Sequence, residues 1–222
     1  MTRHFTSEYV ERATLRDGTP VLLRLLTPED KPMLRREFER WSSASRYARF
    51  LSPKAHLTDA ELDYLCNIDQ ESHFALGAIA EAGDGHGEPD ALGLARFIRL
   101  PGSATIAEPA IAVADRAQGR GLGRLLFLRL CAAAAERGVE EFTCEVLCDN
   151  HAMQKLIDDV APDRTISVEA GVTTIHFALA AFAPDAPHAE PPELPMYRFF
   201  RAAAENVVEW TERVRRLWRG SS

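Results

Sequence analysis

Three glycines fall within Gln118-Gly119-Arg120-Gly121-Leu122-Gly123, between the alternating run Ile111-Ala112-Val113-Ala114 and the apolar run Leu125-Leu126-Phe127-Leu128. Alternation that gives way to glycine and then to helical periodicity describes a strand turning sharply into a helix. Glycine accepts positive φ and carries no Cβ, so its amides can approach a bulky anion. The helix that follows is Ala-rich through Arg137 and ends at Gly138, a residue suited to a left-handed C-terminal cap. Its first turn offers N–H groups outside the helical ladder and the positive end of the dipole, which together favour an anion such as a pyrophosphate. A tight turn with no ligand is the alternative on loop shape alone. A Walker loop needs Gly-Lys-Ser/Thr at its end and this one has Gly-Arg; the dinucleotide fingerprint needs glycine where Arg124 stands.

The rest of the chain alternates strands with helices. Thr19–Leu26 reads as a strand, Thr27-Pro28-Glu29-Asp30 as a helix cap, and residues 29–41 as the helix. Thr58-Asp59-Ala60-Glu61 has the spacing of a capping box and opens a second helix running to about Asn67. Strands are expected at 74–82, 91–99, 107–114 and 141–147, helices at 121–137 and 150–159, and a hairpin at 164–170 and 172–180. Such an order implies one mixed sheet flanked by helices in an α/β (α+β) domain over 1–181. Ala183–Pro195 is proline-rich, so residues 182–195 are expected to form a stiff connector. Phe200, Ala203, Val207, Trp210, Val214 and Leu217 recur at spacings of three and four, which predicts a terminal amphipathic helix over 196–222. That stripe would dock on this or a neighbouring domain, join two copies as a homodimer, or meet an anionic membrane or another acidic partner.

Net charge of −7 argues against a dedicated nucleic-acid binder. No apolar stretch reaches membrane-spanning length and the start lacks a signal-peptide core. Four scattered cysteines suggest reduced thiols, hence a cytoplasmic location. Cys144, Cys148 and His151 invite comparison with a zinc site, but a fourth ligand is missing, and core packing is the better account of the cysteines; no metal is expected.

The pattern Gln-x-x-Gly-x-Gly, after Val113-Ala114-Asp115 and before a long helix, resembles the acyl-CoA signature of the GNAT N-acetyltransferase superfamily. Cys144-Glu145-Val146-Leu147-Cys148-Asp149-Asn150, with Met153, is similar to the next strand and the Asn-bearing helix start of that superfamily. The resemblance spans about residues 20–180 and implies the GNAT fold: a mostly antiparallel sheet of about seven strands, splayed at the CoA site. It further implies acetyl-CoA as cosubstrate, with the amides of Gln118, Gly119, Arg120, Gly121, Leu122, Gly123 and Arg124 around the pyrophosphate. Ile111 and Val113, with Ala112 between them, would lie along the pantetheine arm like an added strand. Arg120 and Arg124 would meet phosphates or remain solvated, and Asn150 would touch the arm or merely cap its helix.

Acyl transfer to an amine requires a base, because an alkylammonium has no lone pair for attack. Ala107-Glu108 resembles the Ala-Glu pair of the bacterial protein lysine acetyltransferases, which makes Glu108 the candidate base; a solvent-facing strand-end glutamate is the alternative. Pro109 marks an edge or bulge and would either help open the strands or displace Glu108. Where many members carry a tyrosine acid, this chain has Ile157. Asp69, His73 and the stretch Ser45-Arg46-Tyr47-Ala48-Arg49-Phe50 also resemble the protein-acetylase subgroup. The expected activity is direct acetyl transfer to a protein lysine; a small-molecule amine, or a non-catalytic acyl-CoA-binding regulatory module, are the alternatives.

Overall fold

The computed structural model describes residues 3–42, 55–80, 89–148, 151–161, 163–169 and 172–182. In chain order the strands are Val10–Thr14, Pro20–Leu25, His73–Ala80, Ala91–Arg99, Ile106–Val113, Glu141–Leu147, Thr165–Glu169 and Val172–Ala178, named β1 to β8. The helices are Lys31–Arg40, Asp59–Cys66, Leu122–Glu136 and His151–Val160, named α1 to α4. One sheet holds all eight strands in the order β1-β2-β3-β4-β5-β6-β8-β7. Every pairing is antiparallel except β5 with β6.

The mixed sheet flanked by helices is the arrangement that the sequence implies, with one strand more at the start. β1 carries no apolar alternation, because its residues run between exposed and half-buried at the edge of the sheet. Pairing with β2, rather than burial of a face, holds it in place. The first helix begins later than its cap suggests: Pro28–Asp30 forms a 3-10 turn before α1. Asp30 accepts the Thr27 N–H at 2.8 Å and binds the Arg24 guanidinium, so its carboxylate is committed to closing that turn.

The helices divide between the two faces. Leu34, Phe38 and Trp41 from α1 and its end pack with Leu62, Leu65 and Cys66 of α2 over Ala75, Leu94 and Ala112. On the other face Leu122, Leu126, Phe127 and Leu130 of α3 join Met153, Leu156 and Ile157 of α4 over Phe97, Ile111, Phe142 and Phe177. α3 comes close to the sheet because β4 has glycine beneath it: a Cβ at Gly93 would stand 2.8 Å from Leu126 Cδ1 and 3.0 Å from the Ala112 carbonyl. The Gly138 cap closes α3, with the Val139 N–H returning to the Ala134 carbonyl at 3.0 Å. Cys66, Cys131 and Cys144 are buried, as core packing predicts, whereas Cys148, at the end of β6, is exposed; burial pushes the Cys131 thiol well up. The proline-rich segment from residue 183 and the terminal amphipathic stripe lie outside the described residues.

Candidate active site

β5 carries both halves of the site, and its backbone parity explains how. Leu100 donates to Ile106 O at 2.9 Å and Ala114 donates to Leu92 O at 2.8 Å, so the even-numbered peptide groups of β5 face β4. The odd-numbered ones, at Ile111 and Val113, face the β6 side. There β6 has already departed: the parallel register holds only Ile106 opposite Glu141 and Ala107 opposite Phe142. From residue 108 onward this edge of β5 therefore has no β6 residue in register with it. The peptide group of Ala112 faces Leu94 instead, which leaves Ile111 and Val113 as the positions able to pair with an extended guest.

Pro109 lies opposite Phe97 in an unbroken β4–β5 register, with no bulge. Its odd number makes it a non-hydrogen-bonded partner, so the missing N–H costs the ladder nothing on the β4 side. Glu108 keeps its register place opposite Ile98.

At the end of β5 the chain passes through Asp115–Ala117 and enters the glycine loop. Gly119 and Gly121 have φ of +74° and +87°, and Gly121 is the left-handed N-cap of α3. Both positions require glycine, since a side chain in that region is strained whatever the space. The first helical bond runs from Leu125 N–H to Gly121 O at 3.1 Å, so the amides of Leu122, Gly123 and Arg124 precede the ladder. Gln118 turns its side-chain amide back onto the Val113 carbonyl at 3.1 Å and the Asp115 carboxylate at 3.2 Å. Its side chain thus braces the turn.

Two staples hold the loop. Arg116 binds buried Glu37 of α1 at 2.8 Å and Asp90 at 2.8 Å, and donates to the Ala91 carbonyl. From the other side Arg120 pairs with Asp17 in the β1–β2 turn at 2.9 Å. Of the two readings for Arg120, phosphate ligand or surface charge, the structure adds a third: it anchors a neighbouring turn.

Across the strand from this loop, on the face beneath α1 and α2, the register aligns His73, Ile98 and Glu108 in one row and Ala75, Arg96 and Ala110 in the next. Arg96 is fully enclosed; it donates to Leu65 O at 2.8 Å and to His73 Nε2 at 2.7 Å. A guanidinium only donates, so Nε2 accepts and the proton of the neutral ring sits on Nδ1. Burial, then the nearby Arg96 charge, lowers the His73 pKa to about 3. Burial likewise lowers that of Arg96, to about 9. Asp69 serves the turn before β3, accepting the backbone N–H groups of Glu71 and His73 at 2.8 and 2.9 Å. The Tyr64 ring packs 5.3 Å from that of His73. Its phenol pKa is raised first by burial, and the negative charge of Glu108 adds to the shift. Tyr64, Arg96, Arg116 and the β1–β2 turn all escape motif reading. Arg96 alone has a sequence signal, a charge flanked by Ala95 and Phe97 inside a mostly apolar strand.

Ile157 is fully buried among the α4 core residues and offers no proton. Asn150 and the Ser45–Phe50 stretch lie outside the described residues, as do the side-chain details of His151. Among the described residues no group of three His, Cys, Asp or Glu side chains is placed to hold a metal, and no helix is long and apolar enough to cross a membrane.

Comparison with known proteins agrees with this geometry. Residues 35–158 match the family model described as the Acetyltransferase (GNAT) family. Acetyltransferase Pat of Mycolicibacterium smegmatis is 37% identical over 150 residues, covering 63% of this chain and 43% of that protein. Acetyltransferase PA5475 of Pseudomonas aeruginosa is 32% identical over 64% of this chain and 75% of its own length. The chain thus spans less than half of the first relative and three quarters of the second. Among solved structures, the GNAT domain of S. lividans PAT superposes with a TM-score of 0.68 at 28% identity, over 78% of this chain and 99% of that one. A cAMP-binding acyltransferase from Mycobacterium smegmatis matches with a TM-score of 0.54 at 30% identity, over 82% of this chain and 50% of its own. A strand that leaves its neighbour, a left-handed glycine loop at its end and a family match across both place this chain in the GNAT acetyltransferase family, whose enzymes use acetyl-CoA as cosubstrate.

Proposed function

We propose that the chain transfers the acetyl group of acetyl-CoA directly to the side-chain amine of a protein lysine, with Glu108 as the base. The observation that carries this reading is the geometry of β5: a carboxylate at the point where β6 departs, and a left-handed glycine loop at the strand's far end. Five residues separate Glu108 from Val113, about 17 Å of extended chain. A pantetheine arm laid along Ile111 and Val113 would carry its thioester from the loop toward the carboxylate.

The loop amides would hold the pyrophosphate, and their left-handed glycines fit it because a Cβ would strain the turn. Glu108, directly or through water, takes a proton from the lysine ammonium. The freed nitrogen attacks the thioester carbonyl, the carbon–sulfur bond breaks, and CoA leaves as thiolate. Ile157 supplies no acid, so solvent protonates the sulfur; a thiolate leaves readily near neutral pH. Tyr64, whose ring packs 5.3 Å from that of His73 in the row that Glu108 shares, would border the incoming lysine. The lysine acceptor is supported by the Ala107-Glu108 pair and by the likeness to the GNAT domain of PAT.

The test is to incubate cell lysate with the protein and isotopically labelled acetyl-CoA, then follow the label by mass spectrometry. Label on protein lysines is the expected outcome. Label confined to small metabolites would move the acceptor to a small amine, and CoA binding with no transfer would leave a non-catalytic regulatory module.

A further inference from the structure

On the far side of the β5–β6 seam, the face of the sheet that carries Glu108 continues onto β6 and β8. Ala107 and Phe142 lie opposite each other and belong to the core beneath α3. Side chains alternate along a strand, so Ile106 and Glu141, also opposite each other, stand on the other face with Glu108. Thr143 follows Glu141 on that face, and His176 of β8 is its partner in register. All three of Glu141, Thr143 and His176 are half-buried. Glu141 Oε1 accepts the Thr143 hydroxyl at 3.2 Å and lies 3.1 Å from His176 Nδ1, which is itself 3.0 Å from Thr143 Oγ1. A carboxylate only accepts, so Nδ1 carries a proton. Two neighbours thus fix the carboxylate through one oxygen, and among the described residues nothing engages Oε2.

In the parallel register Glu141 stands one strand over and two residues back from Glu108. With strands about 4.8 Å apart and about 3.3 Å per residue, their Cα atoms are about 8 Å apart. An extended polypeptide returns its side chains to one side every second residue, about 6.6–6.8 Å along. A polypeptide whose lysine reaches Glu108 therefore sets the side chain two positions away beside Glu141. The strands β6, β7 and β8 hold Glu141, Glu145 and Glu169 and no lysine or arginine, so their charge complement is a cation. We infer that Glu141 is a specificity residue of the acceptor site, its Oε2 receiving the guanidinium or ammonium of a basic residue two positions from the reacting lysine. Thr143 and His176 are the positioning residues that aim it. This rests on the reading of Glu108 as base for a protein lysine and deepens it by naming the class of acceptor.

Steady-state acetylation of single-lysine peptides by the full chain tests it, with arginine, alanine or glutamate two positions before or after the lysine. The wild-type chain is expected to favour arginine over alanine on one of the two sides by about tenfold in KM, the scale of one charge-assisted hydrogen bond, with kcat little changed. Glu141→Gln, which keeps the size and removes the charge, should erase that preference, and Glu141→Lys should turn it toward glutamate. Thr143→Val, which removes one of the two bonds that hold the carboxylate, should keep only part of it. Titration of each variant with acetyl-CoA checks that the donor site is intact. A preference for arginine that survives Glu141→Gln would overturn the proposal, whatever the loss of rate. A wild-type chain that acetylates the arginine and alanine peptides equally rejects the role of Glu141 and spares the lysine reading, whereas one that acetylates none of the peptides rejects both.

Discussion

The two ends of β5 are built from different materials. Toward its C-terminus the chain offers peptide groups: left-handed glycines, amides ahead of the α3 ladder and the outward edge at Ile111 and Val113. Near Glu108 the chain gathers side chains instead, with Tyr64, His73 and Arg96 brought together from α2, β3 and β4 beside the proposed base. A donor that every member of a family shares can be held by backbone, because backbone is insensitive to sequence drift. An acceptor that differs among members has to be met by side chains, which selection can exchange one at a time.

The largest effect that would expose this division is expected at Gly121. Gly121→Val places a β-branched residue at φ +87° and next to the Arg16 side chain, so CoA binding should fall by more than about a hundredfold. Calorimetry with CoA reads the loss, and circular dichroism checks that the domain remains folded. Undiminished affinity would remove the loop from the donor site.

Next in size is Glu108→Gln, which should lower kcat by about a hundredfold through loss of the base, while CoA affinity stays nearly constant. If the two ends were one unit, both quantities would drop together. Steady-state kinetics alongside CoA titration separates the cases, and full retained activity would discard Glu108 as base.

The smallest effect concerns pH. His73 is neutral in the fold, with a pKa near 3 against 6.5 for the unfolded chain. Below pH 6.5 the unfolded chain takes up a proton that the folded one refuses, so this histidine costs stability progressively as pH falls from 6.5 toward 3. His73→Gln keeps an acceptor for Arg96 and should remove on the order of 1 kcal/mol of the stability loss between about pH 7 and 5, a window above the carboxylates. Urea unfolding at both pH values measures it; identical slopes in the two proteins would mean that His73 titrates in the fold like an ordinary histidine.

The division also explains how much could be read in advance. The strand–glycine–helix order, the capping box at Thr58 and the hairpin near the end announce themselves through local chemistry, and the structure follows them. Gly119 and Gly121 were legible because a positive φ selects one residue type. Edge strand β1 was not, since an edge needs no apolar alternation. Tyr64 has no local rule at all, and for Arg96 a charge within an apolar stretch marks the residue but not its partners: both roles come from contacts between elements distant in sequence, such as the Arg96 bond to Leu65 O. The Asp17–Arg120 pair likewise joins residues that no spacing argument could connect.

Pro109 carries a consequence for the energetics of binding. Were β6 to continue alongside β5, the register after Ala107 opposite Phe142 would call on the N–H of residue 109 to meet the carbonyl of Thr143. Proline has no such hydrogen. The seam between the two strands is therefore kept from zipping shut by covalent structure rather than by a guest. On the proposed placement of the donor along β5, an arriving acyl-CoA would have no strand pairing to break first, and the free energy that separating two strands would have cost would be available for holding it.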